Sequence, residues 1–490
     1  MNVARHMRQL SIETIIYGTS SGIGSLVAVF LVPLYTRVFS PEEYGRVALL
    51  TSLVSLATTF IVLGMDGASA RWYYDDADPM RRRQVISSWF WCQTAVGALL
   101  TLVMVLLAPR LAHLVLGSAQ YAVAVVVATL TIPLSTFSKV IGNWLRYERL
   151  AWKTTVFFAL NSLISVALVA VCLLWLRMGM TGLFAGQAAA GVLTGAIALA
   201  LIGNCILPRY ISRPMLGAMF AYAFPLIPAA LAAWVTASAD RFILKGFVPT
   251  SEIGVYAVGV SLASSIMLII SGFRMAWGPF AYSIMDKPEA GNVYRNVLSL
   301  YSLVGCFLAT ALSLYAPQLL YVLTTERYYG ATSTVPYLAF GYLAIGAFEI
   351  VAIGANAAKK SRPVAATIFL AAGVNTGLNF VLIPFLGKNG AAISTFAAYT
   401  AATICMYFAS QHRYPIPYRT RDSLVCLAFS LTLIIIDHCF VPTWGLAAIV
   451  VRALMCLSFG VVALWLGLIR PQHILMLYAY ARQRTKGAAA

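Results

Sequence analysis

The sequence predicts an all-α polytopic membrane protein with about fourteen transmembrane helices. Charged residues make up only 10% of the 490 positions, whereas hydrophobic residues make up 61%. A soluble domain carries about 25% charged residues, so the polar surface of a soluble enzyme or a disordered chain is missing. The chain also divides into apolar stretches of about 20 residues, the length that crosses a bilayer.

The apolar stretches are numbered here as spans 1 to 14 in chain order. They are centred near residues 26, 56, 99, 131, 165, 191, 227, 262, 304, 345, 375, 400, 432 and 457. The connections between them are short, so no folded soluble domain is expected there. The basic N-terminal segment runs into an apolar stretch longer than a signal-peptide core, which favours a first membrane span.

The connections on opposite sides of the membrane differ in their content of Lys and Arg. Assigned alternately, those on the N-terminal side hold 25 of the 34 basic residues and those on the other side hold eight. Basic connections stay in the cytoplasm, so both termini are predicted to be cytoplasmic, in a multi-pass protein of the cytoplasmic (inner) membrane. This placement explains the net charge of +18 without a nucleic acid partner.

Two short motifs recur after six spans. Phe39–Gly45 follows span 1 and Phe247–Gly254 follows span 7, and their Phe and Pro positions are 208 residues apart. The glycines of Gly179–Gly182 and Gly387–Gly390 have the same separation. Six spans separate the two copies of each motif, and because six is even, both copies have the same orientation in the membrane. The halves are therefore parallel repeats. The predicted parts are a six-helix bundle over residues 1–210, a second six-helix bundle over residues 211–415, two additional helices over residues 416–470 and a basic cytoplasmic tail over residues 471–490.

Two stretches carry a family resemblance. Pro33–Arg37 running into Pro41–Gly45, and Asp240–Leu244 running into Glu252–Tyr256, resemble the Wzx-type polysaccharide flippases of the multidrug/oligosaccharidyl-lipid/polysaccharide (MOP) exporter superfamily. The resemblance implies a V-shaped, MATE-like pair of bundles around a central cavity. The implied activity moves an undecaprenyl-diphosphate-linked oligosaccharide to the periplasmic leaflet by alternating access, for O-antigen, capsule or exopolysaccharide. The implied partners are this polyprenyl-diphosphate-linked oligosaccharide, membrane lipids, and a polymerase and glycosyltransferases near a monomeric flippase.

A diphosphate head group needs cations in the cavity, and the planar guanidinium of Arg binds two phosphate oxygens at once. The candidates are the basic residues in or near the spans: Arg37, Arg71, Arg241, Lys245, Arg274 and Arg452. Each also has a structural interpretation. Cations near helix ends extend to lipid head groups, and Asp240 and Asp437 are placed to pair with Arg241 and Arg452.

The few acids near the apolar spans are candidates for coupling and gating. A carboxylate in the membrane is costly unless it is paired, protonated or facing water. Glu349 in span 10 is therefore the candidate for coupling to an H⁺ or Na⁺ gradient, with structural support in its bundle as the alternative. Asp66 at the end of span 2 and Asp240 after span 7 are candidates for gate ion pairs. Proline kinks helices, and the hinge candidates are Pro33, Pro225 and Pro228.

Four other functions are weighed against the flippase. A drug or cation antiporter of the same superfamily shares the fold but favours acids in its cavity, whereas this chain has more basic than acidic residues. A membrane polymerase or ligase needs a large outer loop and a catalytic cluster, and neither is expected, so the protein is predicted not to be an enzyme. A nucleotide-driven pump needs a phosphate loop of the GxxxxGK[ST] type, which this sequence lacks. A channel fits a repeat less well, and no metal or cofactor is expected.

Overall fold

The computed structural model describes residues 30–62, 64–76, 78–357 and 362–467. Every regular element in these ranges is helical. Residues 30–38 are the described part of span 1, and the centre of that predicted span, like the basic tail over residues 471–490, lies outside the described residues.

All thirteen remaining predicted spans have a counterpart among the described helices. Span 8 consists of Thr250–Ala263 and Ser265–Ile284, which meet at an angle of 40°. The other twelve, in order, are Pro41–Asp75, Pro79–Leu106, Ala119–Tyr147, Trp152–Trp175, Gly179–Ile202, Arg213–Ser238, Ala290–Leu314, Glu326–Asn356, Arg362–Leu386, Lys388–Gln411, Thr420–Phe440 and Leu446–Trp465. The predicted fold class is therefore confirmed for the described residues, and the protein is a multi-pass membrane protein.

Spans 2, 7, 10 and 14 of the described chain contain breaks, as span 8 does, and three short α-helices lie between spans. Span 2 is divided into Pro41–Val62 and Met65–Asp75, and span 7 into Arg213–Ala223, a 3₁₀ turn and Ile227–Ser238. The shorter helices are Ala108–Leu111, Asp240–Phe247 and Ala316–Leu323.

Local sequence explains where the spans begin. Ser40 and Glu43 exchange hydrogen bonds at the start of span 2: the amide of Glu43 donates to the Ser40 hydroxyl at 3.3 Å, and the amide of Ser40 donates to the Glu43 carboxylate at 2.9 Å. This is a capping box, and Pro41 occupies the first helical position, where its missing N–H costs nothing. Asp78 caps span 3 in a similar way by accepting from the amide of Met80 at 3.0 Å.

Helix pairing follows the predicted repeat. In the first half, span 4 packs against spans 2, 3 and 6, and span 5 packs against span 6. In the second half, span 10 packs against spans 8, 9 and 12, and span 11 packs against span 12. Each of these pairings in the first half recurs six spans later, and spans 13 and 14 pack against span 9.

A large buried core at one end of the molecule is built from residues of both halves. One buried cluster combines Phe39 and Tyr44 of the first half with Ile253, Tyr256 and Tyr328 of the second. We call this the joined end; spans 2 and 8 begin there. At the opposite end, the open end, separate clusters form around Trp89 and around Trp277. This arrangement gives the V shape.

Glycine permits the close approach of spans 2 and 8 at the joined end. A Cβ atom added to Gly45 would overlap the carbonyl oxygen of Thr250, and one added to Gly254 would overlap the carbonyl oxygen of Pro41. These two glycines occupy matching places in the repeated motif. The motif that marks the repeat in the sequence therefore forms the contact between the halves.

Candidate functional site

An ion pair joins spans 2 and 4 of the first half. The ammonium of Lys139 lies 2.8 Å from a carboxylate oxygen of Asp66. The side-chain amide of Gln93, buried in span 3, donates to the other carboxylate oxygen at 3.5 Å, and the Tyr147 hydroxyl donates to the backbone carbonyl of Asp66 at 3.2 Å. These contacts hold Asp66 against two neighbouring helices, spans 3 and 4.

A second ion pair joins spans 8 and 10 of the second half. Nη2 of Arg274 lies 2.7 Å from a carboxylate oxygen of Glu349. The indole of Trp277, one turn further along span 8, donates to the backbone carbonyl of Glu349 at 3.3 Å. Two residues that the sequence nominated for different roles, substrate binding and coupling, are thus brought together.

The two ion pairs lie at a similar depth and are partly exposed. Each of the four residues lies 7 to 10 positions before the end of its span, which is about 10–15 Å along a helix. Spans 2, 4, 8 and 10 run in the same direction, so these ends all lie at the open end. The side chains of Lys139 and Arg274 are 44% and 47% exposed, and those of Asp66 and Glu349 are 28% and 34% exposed. Ionisable groups at membrane depth face the bundle interior or a water-filled cavity rather than lipid.

The sequence placed Asp66, Lys139 and Arg274, but not Glu349, too close to the ends of their spans. Span 2 was expected to end at Asp66, and Lys139 and Arg274 were counted with the connections. In the structure span 2 continues to Asp75, and the two cations lie inside spans 4 and 8. A charged residue ends a stretch of apolar residues in the sequence, but the helix itself continues beyond that residue where it does not face lipid.

Asp240 and Arg241 lie in a buried cluster near the joined end. The Asp240 carboxylate, only 3% exposed, accepts from the hydroxyl of Tyr256 and from the amide of Arg241 at 2.8 Å. The Arg241 guanidinium lies 3.3 Å from the same carboxylate, and its side chain is 13% exposed. The predicted pairing of these neighbours is observed, together with a tyrosine that the sequence did not reveal.

Lys245 forms a bridge between the halves. Its ammonium donates to the backbone carbonyl of Leu114, in the connection between spans 3 and 4. Arg37 is exposed, and its guanidinium lies 3.5 Å from the carbonyl of Pro33 in its own helix. Both cations are therefore placed toward the joined end.

Arg71 and Arg452 have different surroundings. The guanidinium of Arg71 lies over the Tyr222 ring of span 7, 5.2 Å from its centroid. Arg452 is 2% exposed and lies between spans 13 and 14, with Nε 2.7 Å from the Asp437 carboxylate and Nη1 3.2 Å from the Thr443 carbonyl. Its hydrogen bonds close the hairpin of the two additional spans.

The hinge candidates of span 7 lie at an observed break. Pro225 is in the 3₁₀ turn Phe224–Leu226, and Pro228 is in the first turn of the next helix. The first section of span 7 packs against spans 2 and 3 of the first half, and its later section packs against span 11 of the second half. Gly64, at the break of span 2, has a φ of 67° and lies against Ala223. Pro33, the third hinge candidate, lies within the helix over residues 30–38.

Sequence reasoning missed Lys139, Gln93, Tyr256 and Trp277 as members of these clusters. A signal for Lys139 was present in the repeat, because Asp66 and Arg274 are 208 residues apart and Lys139 and Glu349 are 210 apart. The described ranges contain no group of three His, Cys, Asp or Glu side chains that could hold a metal ion. The two partly exposed ion pairs at the open end offer both a basic and an acidic group to a charged ligand.

Two family models and a curated relative match parts of this chain. The family described as "Polysaccharide biosynthesis protein" matches residues 12–285, more than half of the chain, and the family described as MatE matches residues 225–381. A curated relative, the succinoglycan biosynthesis transport protein ExoT of Rhizobium meliloti (strain 1021), is 24% identical over 236 residues. That match covers 48% of this chain and 45% of ExoT, so the chain spans a little under half the length of this relative.

Solved structures share the fold at low sequence identity. The lipid II flippase MurJ in an inward closed conformation is 15% identical, with a TM-score of 0.71 over 94% of this chain and 100% of that chain. An inward-facing multidrug resistance MATE transporter of the MOP superfamily is also 15% identical, with a TM-score of 0.67 over 80% of this chain and 94% of that chain. These likenesses show that the chain shares the fold of these two transport proteins.

Proposed function

Because the chain belongs to the family of polysaccharide biosynthesis proteins, we propose that it is a Wzx-type flippase. It moves a polyprenyl-diphosphate-linked oligosaccharide across the cytoplasmic membrane for O-antigen, capsule or exopolysaccharide synthesis. The family match carries this proposal, and the partly exposed ion pairs Asp66–Lys139 and Arg274–Glu349 of the two repeated halves support it.

The geometry supplies what this cargo requires. Its diphosphate is anionic, so it needs cations at membrane depth, and Lys139 and Arg274 are such cations with 44% and 47% of their side chains exposed. Its polyprenyl tail remains in the bilayer while the head group passes along the cleft. Lys and Arg bind phosphate oxygens through charge-assisted hydrogen bonds, which are stronger than hydrogen bonds between neutral groups.

The V shape supports alternating access. The distribution of Lys and Arg favours an open end in the cytoplasm, where the cargo is made, and a joined end in the periplasm. Translocation then requires the Gly45–Gly254 contact to separate while the open end closes. Span 7 is suited to transmit this motion, since it packs against spans 2 and 3 before its Pro225 break and against both span 2 and span 11 of the second half after it.

Energy and partners complete the proposal. The flippase has no cofactor and acts as a monomer, and its motion is coupled to an H⁺ or Na⁺ gradient, for which Glu349 and Asp66 are the acids at membrane depth. It works beside a membrane polymerase and glycosyltransferases, with both termini in the cytoplasm.

A drug or cation antiporter is the second candidate. The MatE match over residues 225–381 and the acids Asp66 and Glu349 in the cleft favour it. In that case the acids would bind the cargo and the cations would be their structural partners. The two candidates therefore differ in which member of each ion pair contacts the cargo.

Deletion in the native host tests the proposal. The deletion strain should accumulate a finished lipid-linked oligosaccharide on the cytoplasmic face and lose surface polymer, and the wild-type chain should restore both. Normal surface polymer together with new sensitivity to cationic drugs would reject the flippase in favour of the antiporter.

A further inference from the structure

A pocket of about 1040 Å³ lies in the second half, apart from the cleft at the open end. Its walls come mainly from spans 10, 12 and 13, and its lining residues fall within residues 313–452. Spans 10 and 12 begin at the joined end and span 13 ends there, and the pocket occupies this end. Its volume is at the upper limit of ligand sites, which are about 300–1,000 Å³. We call it the hairpin pocket, because the hairpin of spans 13 and 14 forms one side.

The three walls of the hairpin pocket change from polar to apolar in the same direction. At the joined end each wall contributes a polar side chain to the lining: Ser333 of span 10, Asn389 of span 12 and His438 of span 13. Further along the same three helices, toward the middle of the membrane, the lining becomes apolar: Phe340, Phe396 and Leu427. A site that is polar at one end and apolar along its length suits an amphiphile whose head lies at the joined end.

The length of the hairpin pocket matches one leaflet of the bilayer. Leu427 and His438 of span 13 both line it and are eleven positions apart, which is about 16 Å along a helix. The hydrocarbon core is about 30 Å thick, so one leaflet accounts for about 15 Å. Leu431 and Ile435, two further lining residues, are 48% and 60% exposed. The pocket is thus accessible from the membrane and is half the length that a transmembrane helix of a partner would need.

The charges of the hairpin pocket favour a ligand without net charge. Its two lining Lys and Arg side chains, Lys388 and Arg452, are both paired with acids. Arg452 is 2% exposed, with its Nε 2.7 Å from the Asp437 carboxylate, and the Lys388 ammonium pairs with Glu252. A diphosphate would have to break these pairs, because a buried cation keeps its partner. The cargo of the proposed flippase is therefore a poor match for this site.

Uncharged polar groups remain at the joined end of the pocket. The carboxamide oxygen of Asn389 accepts from the Ser333 hydroxyl at 2.7 Å, which leaves the carboxamide nitrogen to donate to a ligand. The hydroxyl of Tyr337, in a side chain that is 40% exposed and lines the pocket, is a second donor. Such donors bind the oxygens of a phosphodiester, and the Asp437 carboxylate, also in the lining, attracts an ammonium.

From this polarity, length and charge we propose that the hairpin pocket binds a zwitterionic glycerophospholipid of the leaflet at the joined end. Its phosphate accepts from Asn389, and its acyl chains lie against Phe340, Phe396 and Leu427. Span 13 packs directly against span 9, and the lipid fills the space between span 13 and spans 10 and 12. The lipid is thus a resident component that stabilises the added hairpin, and the inference does not depend on the identity of the cargo.

Binding of dioleoylphosphatidylethanolamine to the purified, delipidated full chain, followed by native mass spectrometry, tests this inference. Leu431→Trp places a large ring among the lining residues and should raise the Kd about tenfold, because the ring displaces methylene groups of the lipid. Ile436→Trp is the matched control: it adds the same ring to the same helix at a 39% exposed position outside the pocket lining, and it should leave the Kd unchanged. An equal Kd in the two variants would overturn the site.

Thermal stability provides a second measurement on the same proteins. A lipid that binds the folded chain raises its melting temperature by mass action. Dioleoylphosphatidylethanolamine should therefore raise the melting temperature of the wild type and of Ile436→Trp more than that of Leu431→Trp. Should Leu431→Trp not fold, Ile435→Trp replaces it, since Ile435 also lines the pocket and is 60% exposed. An equal rise in all variants would contradict a bound lipid at this place.

A change of head group tests the chemistry of the ligand. Dioleoylphosphatidylglycerol has the same chains and a net negative charge, and it should bind the wild type more weakly than the zwitterionic lipid. Asn389→Leu should narrow the difference in Kd between dioleoylphosphatidylethanolamine and dioleoylglycerol, which lacks the head group. Binding of the anionic lipid with equal or greater affinity would overturn the zwitterionic ligand. Displacement of the bound lipid by undecaprenyl phosphate would assign the pocket to the tail of the cargo and overturn the proposal.

Discussion

Opening of the joined end depends on the contact between spans 2 and 8, and Gly254→Ala perturbs that contact directly. The new methyl group would overlap the Pro41 carbonyl oxygen, and backbone atoms cannot rotate away. Overpacking of this kind costs about 1–3 kcal/mol, and it applies only while the halves are joined. The ratio of separated to joined molecules should therefore rise about 5- to 150-fold.

Labelling of a buried cysteine measures this ratio. Thr36 is 2% exposed, and its hydroxyl donates to the Leu323 carbonyl of the other half at 3.4 Å. In a chain with its eight native cysteines replaced, Thr36→Cys should react with a membrane-impermeant thiol reagent only when the joined end separates. The labelling rate should rise by the same 5- to 150-fold in the Gly254→Ala variant.

Gly246 provides the matched control for this substitution. It lies in the helix Asp240–Phe247, and a Cβ atom added there meets nothing within 4 Å. Gly246→Ala should therefore leave the labelling rate of Thr36→Cys unchanged. An equal rate in the Gly254→Ala and Gly246→Ala variants, with both proteins eluting as the wild type in size exclusion, would refute the role given to the crossing.

Further predictions concern the buried charges. Arg452→Met leaves the Asp437 carboxylate without its partner and should destabilise the protein by about 3–5 kcal/mol, seen as a lower melting temperature in detergent; Arg452→Met with Asp437→Leu should recover much of this loss. Tyr256→Phe removes a donor from the buried carboxylate of Asp240 and should cost about 1–3 kcal/mol, measured in the same way. A melting temperature equal to that of the wild type would contradict either prediction.

Length and periodicity were sufficient to predict the arrangement of the spans. Windows of about 20 apolar residues located thirteen spans that the structure describes, because a bilayer permits few other spanning elements. The repeated Phe39–Gly45 motif indicated two halves, and the structure shows what the motif does: its glycines form the crossing of spans 2 and 8.

The partners of the charged residues could not be predicted from the spans alone. A helix that is apolar on most sides carries little information about which way a charge points. Lys139 is 73 positions from Asp66 in sequence, and the two meet only because span 4 packs against span 2. Aligning the two halves would have shown that Asp66 and Arg274 occupy the same place in the repeat and carry opposite charges.

Flipping by the purified chain in proteoliposomes tests the central claim most directly. The substrate is the lipid-linked oligosaccharide extracted from the deletion strain and labelled with a nitrobenzoxadiazole dye on its sugar, and dithionite quenches only the label in the outer leaflet. Without the protein about half of the fluorescence should be protected, and with it nearly all should become accessible. R274M removes the cation of the Arg274–Glu349 pair at the open end and should slow this exchange. K388M removes the cation of the Lys388–Glu252 pair near the joined end and should not slow it. Protection of half of the label at any amount of wild-type protein, in vesicles where the protein takes up ethidium, would contradict the account.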